Sequence, residues 1–186
     1  MKKVIVGLAI VATAIAANAS SFKWSSTGTI YQPGTTTAMS SITAYLFDVD
    51  TVSQGALVTA LRGGGAITDY SAMSTYAADA AKVSATTFTY GTTGNDYNAY
   101  FAIVTSVGGN DYVYISNEKT AAATEADTTS FLFASQSTSS GNVFGATTAY
   151  SSAGWYAVPF RRTCASEQAP PCREGAEVRL SALERQ

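Results

Sequence analysis

Histidine is absent from all 186 residues. That removes the imidazole base from any Ser-His-Asp or Cys-His nucleophile pair, and it takes the usual nitrogen ligands from zinc, copper and non-haem iron sites. Cysteine occurs only at Cys164 and Cys172, both near the carboxyl end. Whatever core the preceding residues build therefore stands without a disulfide. The two cysteines lack metal-ligand or redox spacing, and a local disulfide and two free thiols remain equally open. Basic residues are scarce as well: between Ser20 and Phe160, Lys23, Arg62, Lys82 and Lys119 stand against nine acids. A net charge of about −5 there argues against nucleic acid, whose phosphates require clustered Lys and Arg, and against anionic membrane surfaces.

What is present begins at the amino end. Lys2 and Lys3 precede an uncharged run from Val4 to Ala16, and Ala17-Asn18-Ala19 supplies small residues at the positions a signal peptidase reads. This order of charged, apolar and A-x-A regions is that of a secretory leader, 1–19, with cleavage expected after Ala19. Position 20 is serine, which excludes a lipoprotein anchor at the new terminus. The apolar run is too short for comfortable membrane crossing, and no later segment is long and apolar enough to hold the chain in a bilayer.

Residues 20–160 have the size of one domain, rich in Ser, Thr, Ala, Gly and Tyr, a composition suited to strands joined by flexible turns. Ile42 to Phe47 alternates with both faces apolar enough to be at least half-buried. The strongest local signal is a hairpin, Ala99–Ser106 and Asp111–Ser116 around Val107-Gly108-Gly109-Asn110. Weaker strands are expected at Phe22–Trp24, Thr29–Tyr31, Thr86–Tyr90, Ser130–Ala134 and Gly154–Val158. Two segments read as helical. Between Ser53 and Arg62 a hydroxyl cap precedes Ala56, Leu57, Ala60 and Leu61, and Gly63-Gly64-Gly65 stops the run. Between Ser71 and Lys82, Met73, Tyr76, Ala77 and Ala80 share one helical face. The expected fold is mainly β, an antiparallel sandwich of about seven short strands with one or two short helices. After Phe160 nine charges fall within 161–186, beside Pro170 and Pro171, so this tail is expected to be disordered and outside the fold.

Candidate chemistry is thin. Asp48-Val49-Asp50 places two carboxylates on one side of an extended chain, a spacing calcium sites use, but two ligands are far from the six to eight that calcium takes. Asp50 is expected instead to cap the helix that follows. Gly94-Asn95-Asp96 and Gly109-Asn110-Asp111 carry turn chemistry. Gly63-Gly64-Gly65 follows a helix and lacks a Gly-Lys-Ser/Thr motif, so it is not a phosphate loop. Eleven tyrosines, among them Tyr45, Tyr70, Tyr76, Tyr90, Tyr97, Tyr100, Tyr112 and Tyr114, read either as strand residues with one buried face or as a stacking surface for sugar rings.

The order Ser26-Thr27-Gly28-Thr29-Ile30, Thr43-Ala44-Tyr45-Leu46-Phe47-Asp48, Tyr100-Phe101-Ala102-Ile103-Val104 and Trp155-Tyr156-Ala157-Val158-Pro159, behind a leader, resembles uncharacterised secreted proteins of the PEP-CTERM class. That resemblance implies a surface protein whose end, Val-Pro-Glu-Pro with an apolar stretch and an arginine cluster, is read by exosortase. Here Phe160 replaces the Glu and a charged tail replaces the apolar stretch, so the sorting signal is missing or frameshifted.

These readings converge on an exported, non-enzymatic surface or extracellular-matrix protein, secreted or held at the cell surface. It is expected to act by display and contact with extracellular polysaccharide or other surface proteins, with no catalytic, metal or cofactor-binding residues. A carbohydrate-binding module would instead show three or more coplanar Tyr or Trp rings on one exposed sheet face. A glycosidase would show two acids facing each other at about 5 Å or about 6.5–9.5 Å.

Overall fold

The computed structural model describes residues 19–123, 129–134, 143–144, 150 and 153–158. The expected leader up to residue 18 and the expected charged tail, with Cys164 and Cys172, lie outside the described residues.

Among the described residues, ten strands, one α-helix and a 3-10 turn follow in chain order: β1 (Ser20–Ser26), β2 (Ile42–Asp48), α1 (Gln54–Arg62), the turn Ile67–Asp69, β3 (Ser74–Ala78), β4 (Thr86–Tyr90), β5 (Asp96–Val107), β6 (Asn110–Ile115), β7 (Lys119–Ala122), β8 (Thr129–Phe133), β9 (Val143–Phe144) and β10 (Gly154–Val158). The chain is mainly β, as expected, and its strands form two sheets. The smaller runs β4-β1-β8; the larger runs β3-β2-β5-β6-β10-β9, with β7 pairing the first residues of β5. Two pairings, β1 with β8 and β9 with β10, are parallel; the others are antiparallel.

Alternation explains how the layers stack. In β1, Phe22 and Trp24 point inward while Lys23 is exposed, which is a strand covered on one face only. In β2, Ile42, Ala44 and Leu46 turn toward the small sheet, and Phe47 turns the opposite way toward α1. β5 repeats the division, with Ala99, Phe101 and Ile103 on one side and Tyr100 and Ala102 on the other. The large sheet is thus the middle of three layers, between the small sheet and the helix. Aromatic packing fills the inter-sheet core, with centroids 5.4 Å apart for Phe22 and Phe131 and 5.1 Å for Phe101 and Phe133. On the other side Leu57, Val58 and Leu61 of α1 close over Phe47, Val113, Ile115 and Tyr156. Each such large side chain contributes roughly 1.5–3 kcal/mol on burial.

The helix starts and stops where its sequence signals lie. Ser53 Oγ accepts the Ala56 N–H at 3.3 Å, and the Gly63 N–H donates to Thr59 O at 3.0 Å. Asp50 does not cap it, contrary to expectation. Asp50 is exposed, and its N–H donates to Asp48 Oδ1 at 3.0 Å. A cap must stand directly before the first helical residue, and Ser53 holds that position.

The expected helix over 71–82 is a strand. Residues Ser74–Ala78 pair with β2 in the register Ile42↔Ala78 to Leu46↔Ser74, and Trp24 Nε1 donates to Ser74 Oγ at 3.0 Å. Alanine's helix preference is worth only tenths of a kcal/mol per residue over most residues, whereas the open edge of β2 offers backbone partners to the whole segment, with Thr75 and Tyr76 suited to a strand. The stretch Thr29–Tyr31 forms only an isolated bridge, Tyr31 with Ala38. The hairpin is present, tighter than expected: Val107 pairs Asn110, and Gly108 and Gly109 have φ of 60° and 79°. Both residues of a type I′ turn need positive φ, and glycine adopts it without strain.

Candidate functional site

Of the acids that sequence reasoning weighed for chemistry, Asp48 and Asp111 bond their carboxylates into local structure, and Asp50 and Asp96 are exposed. Asp48 is buried, and each carboxylate oxygen has a partner. Oδ1 accepts the Asp50 N–H, and Oδ2 accepts the Tyr90 hydroxyl at 3.1 Å. The Asp48 carbonyl also takes the N–H groups of Thr51 and Val52, so this residue builds the turn that feeds α1. Asp69 Oδ2 accepts the Ala66 N–H at 2.8 Å, and Asp111 accepts the Ser106 hydroxyl beside the hairpin turn. Gly94 and Asn95 are stitched to Ala123, with N–H to carbonyl distances of 2.8 Å each way. Asp48 is the one acid buried among the described residues, and no group of three Asp, Glu, His or Cys is gathered among them. Glu125 and Asp127 lie outside the described residues.

All eleven tyrosines are described, and none is exposed. Tyr100, Tyr114 and Tyr156 are buried, as are Trp24 and Trp155; Tyr45, Tyr70, Tyr76, Tyr90, Tyr97 and Tyr112 are half-buried against one core or the other. Tyr90 and Tyr97 meet edge to face at 5.3 Å, and the Tyr97 hydroxyl accepts the Thr92 N–H at 2.7 Å. That contact explains Gly91: a Cβ there would stand 1.9 Å from the Tyr97 hydroxyl oxygen. The rings are packing elements, and they form no exposed coplanar platform.

What faces solvent on the small sheet is a hydroxyl surface. Ser21 and Lys23 of β1 stand opposite Thr89 and Thr87 of β4, while Lys23 and Ser25 stand opposite Ser130 and Leu132 of β8. Leu132 is 54 % exposed at the margin of this face, and the three strands contain no acid. In a body this acidic, the face is the neutral-to-positive side. Strand parity alone could have found it, since each strand carries two aromatics on its inward side, Phe22 and Trp24, Phe88 and Tyr90, and Phe131 and Phe133.

A second polar region, not anticipated from the sequence, lies under the first turn of α1. Gln54 is buried and its Nε2 donates to Ser116 O at 2.8 Å; Ser116 Oγ accepts the Phe101 N–H at 2.9 Å. Tyr100 is beside them on β5, fully buried. Burial pushes its phenol far above the ordinary value, with the neighbouring Tyr150, Glu118 and Tyr70 adding to the rise. Tyr150 is pushed up to about 12, first by burial and then by Tyr156 and Glu118. The described surface also carries depressions. An open groove of about 480 Å³ is lined by Ser41, Thr43, Asp79 and Thr105 among others, and a smaller apolar one of about 260 Å³ runs between Leu61, Ile67, Val104 and Val158. No family model, curated protein or solved structure matches this chain.

Proposed function

We propose that this chain is an exported, non-enzymatic protein of the cell surface or extracellular matrix, which works by presenting a rigid β-sandwich for contact. One observation supports the export reading: the leader-like segment ends at Ala19, and the first described strand begins at the next residue. Ala19 is exposed and outside any strand, whereas Ser20 is buried as the first residue of β1. The expected cleavage after Ala19 falls between a residue outside any strand and the first residue of β1, so it leaves every described strand whole.

The contact reading is supported by the surface of the small sheet. Its outward hydroxyls and Lys23 suit hydrogen bonding to extracellular polysaccharide or to another surface protein, while the carboxylates of Asp48, Asp69 and Asp111 are bonded within turns and strand ends. Fractionation of cells producing the full chain tests this. The protein is expected in the surface or medium fraction, and a chain retained in the cytosol would sink the proposal. Reproducible turnover of glycans, peptides or esters, lost on mutating one acid, would sink its non-enzymatic part.

A further inference from the structure

We propose that the apolar groove beside the end of α1 is the seat of this chain's own Phe160, which closes the helix-side core at the hairpin end of the large sheet. The groove holds about 260 Å³, with Leu61 and Ile67 on one wall and Val104 and Val158 of the sheet on the other. Leu61 and Ile67 are buried, yet Val104 is 37 % exposed, one of two large apolar side chains left in solvent among the described residues. Strand pairing fixes where these residues stand. Val104, Val113 and Tyr156 form one row across β5, β6 and β10, and Ser106, Asp111 and Val158 form the next. Val113 and Tyr156 belong to the core under α1, so Val104 shares their face of the sheet. The helix covers that row at Val113 and Tyr156 and leaves Val104 open.

The place where β10 ends selects the occupant. Val158, the last residue of that strand, is itself a wall of the groove, and Phe160 follows two residues later in the chain. Strand residues alternate sides, so an extended continuation would put position 160 on the face of Tyr156 and Val158. Pro159 supports that path, because it holds Val158 extended and its own φ is fixed near the polyproline value. The size fits as well. A cavity of about 150 Å³ lined by Leu, Ile and Phe accepts benzene, so this groove has room for the ring of a phenylalanine. A tether this short keeps the ring at an effective concentration on the order of millimolar, against which a foreign side chain must compete. Phe160 is also the one aromatic residue from Pro159 to Gln186. Arg161 and Arg162 come next, and guanidinium groups stay in solvent unless paired, so the seated piece stops at Phe160. This seat is independent of the export reading and of the small-sheet surface.

Thermal midpoints of the full chain and its variants test the seat. Phe160→Ala is expected to lower the midpoint by about 3 °C or more. Val104→Ala is expected to cost less when residue 160 is already alanine than in wild type, because the two side chains share one contact. Leu132→Ala, exposed on the small sheet, is the control and should add to Phe160→Ala in full. Benzene then reads whether the groove is filled. It should raise the midpoint of Phe160→Ala and leave wild type unchanged, since only the variant offers it an open groove. A Phe160→Ala midpoint equal to wild type, or additive losses at Val104 and Phe160, would overturn the proposal. So would equal benzene shifts, which leave the groove open to an outside ligand. A wild-type midpoint that rises with protein concentration would also overturn it, by seating the Phe160 of a second copy instead.

Discussion

The two cores on either side of the large sheet are built differently. Between the sheets, residues from β1, β2, β5, β8 and β10 interlock, and the polar atoms of both tryptophans are anchored, Trp24 to Ser74 and Trp155 Nε1 to Tyr31 O at 3.0 Å. Under α1, a single nine-residue helix supplies the cover, held by Gln54 to Ser116 and by Arg62 Nε to Ala157 O at 3.2 Å. A helix that short has little stability of its own in water and keeps its shape through packing. The inter-sheet core should therefore govern whether the chain folds, and the helix-side core should govern how well it stays closed.

The largest expected effect comes from Trp24→Ala, which empties the inter-sheet core and should cost about 4 kcal/mol in urea unfolding. Leu57→Ala on the helix side should cost about 3 kcal/mol, with hydrogen exchange rising first in α1. Equal exchange in both layers would erase the distinction. Alkaline pH probes both cores at once. Unfolded tyrosines ionise near pH ~10, whereas burial holds Tyr114 in the first core and Tyr150 beside the second at about 12. Their contribution is whole below about pH 10 and lost as pH rises through about 12, because the unfolded chain gives up its protons first. Thermal midpoints should fall across that window, and less steeply in Tyr114→Phe. An unchanged slope would place the loss elsewhere. Ser53→Ala removes the helix cap and should cost about 1 kcal/mol, again confined to α1. Smallest of all is removal of residues 161–186, expected to leave the thermal midpoint within about 5 °C; a larger drop would show that the tail docks on the domain.

Elements whose own residues specify them were legible in the sequence. Ser53 and the glycines after Arg62 bound α1, and Gly108-Gly109 fixes the hairpin, because caps and positive φ are local chemistry. The β4 and β10 bounds follow from short runs of β-branched and aromatic residues between turn residues. β3 was not legible, since its alanines suit a helix and only the edge of β2 makes it a strand. β7, with the residues Lys119-Thr120-Ala121-Ala122, has no alternation strong enough to announce itself, and its pairing with β5 is purely tertiary. The polar region at Tyr100 was hidden for the same reason. A strand buried on both faces reads as uniformly apolar, so nothing local marks which of its tyrosines faces the helix.

The proposal of export rests on a first described strand that begins where the expected leader ends, and the amino terminus of the mature protein tests that most directly. Sequencing the chain recovered from the surface or medium fraction should read Ser-Ser-Phe-Lys-Trp, starting at Ser20. A terminus still at Met1 would show that the leader is not removed. One at or beyond Phe22 would cut into β1, the middle strand of the small sheet, and would contradict both the processing site and the fold that depends on it.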